Sequence, residues 1–285
     1  MRGISRLGVL AAFAVAAAAV IVVAGQPPES LSVTPVKDGL YYINGVGGNV
    51  GVRVTAEGVI LVDDKFPRNV DAIKARVAEV TDQPIRYVIN THHHGDHSGG
   101  NVGFIDSADV IAHENARKNM IRNEQDAPPR IVYTDQTAVH LGGVEVRAHH
   151  LGSGHTNGDS VVYFPDLRTV HGGDLLHGTA PFIDYANGGG SKEWVGVLDG
   201  ILELDFDTAI PGHGGVMTRA DVEAFRDQFL AVRERMRELI GGGLSKEDAP
   251  AKIVTPELSW TTAENGLFMR RSIPGFYDEI AAEEQ

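Results

Sequence analysis

The sequence predicts an α+β fold in which two β-sheets pack face to face and helices cover their outer faces. Three observations predict it. Short apolar or alternating runs bounded by glycine and proline recur between residues 31 and 171. Helical spacings of apolar residues interrupt and follow them, at 69–80, 113–121 and 194–202. The order strands, helix, strand, helix then occurs twice, giving two similar halves whose apolar sheet faces need a partner. No break in composition marks a second domain, and 285 residues can bury a core without staples. The expected division is 1–27 as an N-terminal targeting segment and 28–285 as the folded domain.

Arg2 and Arg6 precede about nineteen uncharged, mostly apolar residues, followed at once by Pro27-Pro28. This pattern predicts a secretory leader cut between Ala24 and Gln26, with an uncleaved membrane anchor as the alternative. Either outcome places the folded part outside the cytoplasm, in a bacterial periplasm. Membrane contact is expected only through this segment.

Strands are expected at 31–37, 40–44, 50–54 and 59–62, the last two joined by a turn at Glu57-Gly58. Gly45-Val46-Gly47-Gly48 reads as a flexible connection able to overhang a site. Val70, Ile73, Val77 and Val80 form one helical face, and Pro84 ends that segment. Residues 85–89 make a short buried strand, and a helix is expected to begin at Gly99-Gly100. A strand at 110–112 leads into a helix over 113–121. Strands follow at 131–133, 137–141 and 144–148, with Gly142-Gly143 as the hairpin turn. The pair 161–164 and 169–171 comes next.

Trp194, Val195, Leu198, Ile201 and Leu202 give a helix face behind Ser191 as N-cap. A short strand at 209–210 ends at Pro211-Gly212-His213. Thr218 with Asp221 reads as a capping box opening a helix with Phe225, Phe229, Val232, Met236 and Leu239 on one face. The last forty or so residues read as one or two helices with no recognisable chemistry.

Composition narrows the function. A formal net charge of −13 and the lack of any basic stripe disfavour nucleic acid and anionic membranes, leaving a small-molecule substrate. With no cysteine, disulfides, thiolate metal sites and cysteine nucleophiles are excluded, so any metal must be held by histidine and carboxylate.

Such ligands are present. Asn90-Thr91-His92-His93-His94-Gly95-Asp96-His97 contains the spacing His-x-His-x-Asp-His directly after an apolar run. On an extended segment His92 and His94 point the same way and His93 oppositely. Gly95 lets the backbone turn so that Asp96 and His97 reach the same cavity. His155, Asp174 and His213 follow at wide intervals, each beside glycines near a strand end. Seven such groups are too many for one tetrahedral zinc and suit two divalent cations sharing a carboxylate. His93, His113, His140, His149, His150 and His171 read as ordinary surface or core histidines.

On these residues the chain resembles the metallo-β-lactamase fold superfamily, from about Val33 to Met217. The resemblance implies a four-layered αββα sandwich with the metals at one edge of the two sheets. It also implies His92, His94 and His155 around a first metal, and Asp96, His97 and His213 around a second. Asp174 would bridge them, and Asp63, ending the strand Val59-Ile60-Leu61-Val62, would support the site. The implied activity is zinc-dependent dinuclear hydrolysis of an ester, thioester, lactone or lactam by a metal-bridging hydroxide, with Asp96 as the catalytic residue orienting the nucleophile. A bridging Asp in a cysteine-free chain is similar to thioesterases and lactonases of the superfamily. Three other readings stand beside it: a true metallo-β-lactamase acting on β-lactam antibiotics, an iron-containing redox or oxygen-using member, and a non-catalytic metal carrier. The loop 179–190 is expected to wall the pocket, with His177 and Tyr185 as candidate substrate-binding residues.

Overall fold

The computed structural model describes residues 30–257, 259–261 and 266–284. The expected leader at 1–27 lies outside the described residues, among which no helix is long and apolar enough to cross a membrane.

Seven strands form the first sheet in sequential order: β1 (Ser32–Lys37), β2 (Leu40–Asn44), β3 (Val50–Val54), β4 (Val59–Val62), β5 (Ile85–Ile89), β6 (Asp109–His113) and β7 (Ile131–Tyr133). The first four are antiparallel hairpins, whereas β4 to β7 run parallel through crossovers. The second sheet contains β8 (Gln136–Leu141), β9 (Val144–His149), β10 (Val161–Phe164), β11 (Thr169–His177), β12 (Thr208–His213) and β13 (Met217–Thr218).

Strand β4 shows why four layers form. All four of its residues are fully buried. Ile60 and Val62 face the second sheet and pack with Val146, Val162 and Phe164. Val59 and Leu61 face the other way, onto Val70, Ile73 and Val77 of α1 (Val70–Ala78). The period of two sends alternate side chains to opposite faces, and a strand apolar at every position must be covered on both. The outer face of the second sheet is covered likewise. Val161, Tyr163 and Val170 pack with Trp194 and Leu198 of α4 (Ser191–Leu202), Phe229 and Val232 of α5 (Arg219–Gly241), and Phe276 and Ile280 of α7 (Ile273–Glu283). The αββα sandwich expected from the sequence is the observed architecture.

Three elements depart from expectation. The helix expected at Gly99-Gly100 begins earlier, as α2 (Gly95–Ser98), followed by a 3₁₀ segment Gly99–Gly103. His94 is its extended N-cap residue, and the amides of His97 and Ser98 bond to His94 O at 2.9 and 3.0 Å. Asp96 and His97 therefore sit on a helical turn and not in an open loop. Strand β11 continues past His171 to His177, because β12 pairs with it in parallel across an irregularity at Gly172-Gly173. Glycines that read as a strand stop are a bulge inside a longer strand. Ser191 is the first residue of α4 and not its cap: Gly190 occupies the N-cap and offers no side chain. Glu279 of α7 supplies the missing acceptor, taking the amides of Ser191 and Lys192 at 3.0 and 2.8 Å. The expected capping box of Thr218 and Asp221 is present, with both reciprocal bonds made.

The C-terminal segment adds a short α6 (Ala249–Lys252), a π-helical turn (Phe268–Ser272) and α7. Arg233 of α5, only 6% exposed, holds α7 through a bidentate pair with Glu283, both bonds at 2.8 Å.

Candidate metal centre

All seven metal-ligand candidates converge at one edge of the two sheets. Four come from the turn after β5, and the others from the β9–β10 connection, from β11 and from the end of β12. One group comprises His92, His94, His155 and Asp174, and a second comprises Asp96, His97 and His213. In the first, His94 Nδ1 lies 3.1 Å from His92 Nε2 and 2.8 Å from His155 Nε2. In the second, His97 Nε2 lies 3.3 Å from His213 Nε2. Asp174 stands between them. Its Oδ2 is 3.5 Å from His155 Nε2 and 3.9 Å from His92 Nε2. Its Oδ1 is 3.1 Å from His97 Nε2 and 3.4 Å from His213 Nε2. Asp96 Oδ2 closes the second group, 3.3 Å from His213 Nε2.

Which ring nitrogen faces inward is set by what the other one does. His97 Nδ1 donates to Asp63 Oδ2 at 2.7 Å, and His155 Nδ1 to Phe182 O at 2.6 Å. His94 Nε2 donates to Asp184 Oδ2 at 2.9 Å. Thr91 Oγ1 gives its hydrogen to Asp63 Oδ2 at 2.8 Å, so at 3.1 Å from His92 Nδ1 it accepts. Every one of these imidazoles then presents a lone pair inward. Asp63 thus orients one histidine of each group, His97 directly and His92 through Thr91.

Lone pairs facing each other about 3 Å apart repel unless a cation lies between them. The carboxylates agree. Asp174 Oδ1 is buried and makes no hydrogen bond. Burial alone would lower His97, but Asp174, Asp63 and Asp96 outweigh it and hold the ring well above the ordinary histidine range. His213, against burial, is raised to about 9 by Asp174 and Asp96. Asp96 is held near about 2 because His97 and the bond from His213 outweigh its burial. His155 is pushed down to about 3, chiefly by burial. The donor set is hard oxygen and imidazole nitrogen with no sulfur, which fits zinc and other divalent ions of similar preference.

Two glycines are fixed by this crowding. A Cβ at Gly48 would stand 2.1 Å from His97 Cε1, and one at Gly212 would stand 2.1 Å from Asp174 Oδ1. The Gly45–Gly48 connection, expected to be flexible, is pinned against the site. Lys65, fully buried, donates to Val46 O at 3.3 Å and Gly48 O at 2.5 Å, and Gly48 N bonds to Asp96 O at 3.1 Å.

A cavity of about 760 Å³ opens over the centre, lined by Asp96, Asp174, His177 and His213 together with Phe66, Phe182, Leu267 and Arg271. Thr179, Ala180, Phe182, Asp184, Ala186 and Asn187 line it too, so the 179–190 loop walls the pocket as expected. His177 lies in this wall, its ring stacked on His213 with centroids 5.2 Å apart and its Nε2 3.5 Å from Asp174 Oδ2. Tyr185 does not line it: its hydroxyl turns outward to Glu279 Oε2 at 2.7 Å, and burial with that carboxylate raises its pKa. Its ring packs over Gly275 and braces the loop against α7.

Sequence reasoning missed Asp184, Thr91 and the Phe182 carbonyl as partners of the ligands. Thr91 is signalled only by adjacency, and Asp184 by an acid in a glycine-rich loop. His93, read as ordinary, is buried beside Asp184 at 3.9 Å.

Comparison with known proteins places this geometry. Residues 43–213 match the family model described as the Metallo-beta-lactamase superfamily. The chain is similar to the 2,4-dinitroanisole O-demethylase subunit alpha of Nocardioides sp. (strain JS1661), 28% identical over half of this chain and 44% of that one. It thus spans less than half of that relative. Metallo-beta-lactamase type 2 of Bacillus cereus is 26% identical over 63% of this chain and 73% of its own length. The probable hydroxyacylglutathione hydrolase glo2 of Schizosaccharomyces pombe (strain 972 / ATCC 24843) is 28% identical over 65% and 69%. Among solved structures, a metallo-beta-lactamase from Pontibacter korlensis aligns with TM-score 0.63 and 20% identity, covering 70% of this chain and 99% of that one. A double mutant of the sec-alkyl sulfatase PisA1 aligns with TM-score 0.73 and 16% identity, covering 87% of this chain and 50% of that one.

Proposed function

The chain belongs to the metallo-beta-lactamase superfamily, and on that premise we propose that it is a hydrolase using two divalent metal ions, zinc in the first instance, to cleave an ester, thioester, lactone or lactam of a small-molecule substrate. The observation that carries the reading is the division of the Asp174 carboxylate, with Oδ2 toward His92 and His155 and Oδ1 toward His97 and His213. A carboxylate shared in this way suits a pair of cations better than one. His92, His94 and His155 would hold one ion, Asp96, His97 and His213 the other, and Asp174 both. Bound there, the ions would supply Lewis acidity and bring the pKa of water toward neutrality.

The chain's own groups do the rest. Asp63, Asp184 and the Phe182 carbonyl keep the imidazoles in one tautomer and orientation, so no reorganisation is needed during reaction. Asp96, part-buried at the cavity floor, would orient the attacking water. Phe66, Phe182 and Leu267 give the cavity an apolar side. Export through the leader-like segment at 1–27 is part of the same proposal.

The test is metal analysis coupled to a panel of thioesters, lactones, aryl esters and a chromogenic cephalosporin on the zinc-loaded protein. The name of the demethylase relative adds an aryl methyl ether to that panel. We expect two metal ions per chain and turnover of at least one acyl substrate, with both lost in His94→Ala and Asp174→Ala. Turnover retained by either variant refutes the ligand assignment. Preferential cephalosporin cleavage would identify a β-lactamase, the reading favoured by the lactamase relatives. Iron at the site with oxygen consumption would favour the redox alternative.

A further inference from the structure

The π-helical turn before α7 carries a serine where its neighbours bury apolar side chains. Phe268, Met269, Ile273 and Phe276 recur at helical spacing in the core, and Ser272 is fully buried among them. A hydroxyl in such surroundings needs a hydrogen-bond partner. Ser272 is also the N-cap residue of α7, yet its side chain makes no capping bond. Pro274, two positions on, has no amide to offer, and the Ile273 amide is already taken by Phe268 O. The hydroxyl turns to another part of the chain. It accepts from Ile183 N at 2.9 Å, 89 positions back in sequence.

Ile183 is buried between Phe182 and Asp184, in the loop that walls the cavity. Its amide and the Phe182 carbonyl belong to one peptide plane. One side of that plane ends on Ser272 Oγ, and the other accepts the His155 Nδ1 proton at 2.6 Å. A continuous relay thus runs from His155 Nδ1–H through Phe182 C=O and Ile183 N–H to Ser272 Oγ. Both of its ends are fully buried. Successive hydrogen bonds polarise one another, so a peptide that donates through its N–H accepts more strongly at its carbonyl. Asp184 N also bonds to His155 O at 2.9 Å, so this short stretch grips both the ring and the backbone of His155.

We infer that Ser272 is a positioning residue for the first ligand group, acting through the Phe182–Ile183 peptide on His155. It fixes the orientation of the ring and strengthens Nε2 as an electron donor, because a better acceptor at Nδ1–H makes the other nitrogen more electron-rich. Nε2 is the atom that faces His94 Nδ1 at 2.8 Å and Asp174 Oδ2 at 3.5 Å. The C-terminal segment supplies none of the seven ligand candidates, yet it reaches the centre by this route. The inference rests on reading His155 as a metal ligand.

The test compares Ser272→Ala, which deletes the hydroxyl without adding bulk, with Ser272→Thr, which keeps it. In the zinc-loaded full chain labelled with 15N-histidine, the His155 Nδ1 proton reports the relay directly. We expect its resonance to move upfield in Ser272→Ala, to exchange with water faster, and to stay near its wild-type position in Ser272→Thr. Chelator competition should resolve two zinc ions. In Ser272→Ala one should be held about threefold to tenfold more weakly and the other unchanged, a smaller loss than deleting a direct partner of the ligand causes. A general loosening of the fold would weaken both ions together and leave the proton resonance in place, and would overturn the inference. So would an unchanged resonance with unchanged affinities in Ser272→Ala, or equal losses in Ser272→Ala and Ser272→Thr. A wild-type chain that binds no zinc would overturn this inference and the hydrolase reading together. Zinc binding that depends on Ser272, without hydrolysis of any substrate in the panel, would overturn the hydrolase reading and leave this one standing.

Discussion

His94 Nε2 donates to Asp184 Oδ2 at 2.9 Å, so a residue of the 179–190 loop fixes the imidazole whose other nitrogen faces both His92 and His155. The loop that walls the pocket is therefore part of the candidate metal centre. The amides of Asn187 and Gly189 hold Asp184 in turn, and Asp184 N bonds to His155 O at 2.9 Å. Replacing Asp184 by Ala should weaken zinc affinity about 10- to 100-fold, the usual cost of losing a carboxylate behind a histidine ligand. Chelator competition measures this directly; an affinity unchanged within a factor of two would show that the bond is incidental.

Gly48 should tolerate no side chain. The clash lies at 2.1–2.6 Å from three atoms of the His97 ring, and the Lys65 and Asp96 contacts keep the backbone from retreating. For Gly48→Ala we expect about 1–3 kcal/mol of destabilisation by urea titration. Metal affinity should fall in parallel, because His97 must rotate. A variant that binds metal normally would contradict this packing.

Much of this architecture can be read from residue types. Strands such as Val59–Val62 and Val161–Phe164 declare themselves because four-residue apolar runs rich in β-branched and aromatic side chains between turn residues are too short for helices and suit doubly covered strands. Four of the seven ligand candidates are legible because imidazole and carboxylate at His-x-His-x-Asp-His spacing have little other use, whereas His155, Asp174 and His213 are legible only beside that cluster and the resemblance it carries. What escapes is whatever depends on distant partners. Gly172-Gly173 looks like a stop until β12 is present to continue the ladder. Ser191 looks like a cap until Glu279, 88 positions away, takes its amide. Asp184 is marked only as an acid in a glycine-rich loop, and its role follows from where that loop lands. Tyr185, one residue on, faces the other way for the same reason.

Glu279 joins three pieces of that loop region. It accepts from the Tyr185 hydroxyl and from two amides at the start of α4, with the buried Arg233 3.5 Å away. Glu279→Ala should cost about 2 kcal/mol, combining a lost helix cap with a lost charge-assisted bond. It should also expose the 179–190 segment to limited proteolysis before global unfolding begins. Protection equal to wild type would mean that α7 does not brace the loop.

A pH effect is expected well away from the metal centre. His113 stacks on His150 with ring centroids 3.7 Å apart and accepts the Asn115 amide at 3.3 Å as the N-cap of α3 (Glu114–Arg122). Burial, and then His150, lower its pKa from 6.5 to about 4. A histidine depressed in the folded state binds fewer protons there than in the unfolded chain between these values. Its contribution is therefore complete above pH 6.5 and is lost as the pH falls toward 4. His113→Asn keeps a capping oxygen but removes the titration. The urea midpoint of wild type minus that of the variant should drop by the equivalent of about 2 kcal/mol across this interval. A flat difference would refute the assignment.

The seven candidate ligands are split between the two sheets, with four delivered by β5 and three by the segment from β9 to β12. Neither half of the polypeptide can assemble the centre alone, so ions held there would act as a rivet through the open edge of the sandwich. Affinity for metal and resistance to unfolding then become one thermodynamic quantity. Stripping the ions should lower the melting temperature and loosen the interface between the halves, even where no side chain has been altered.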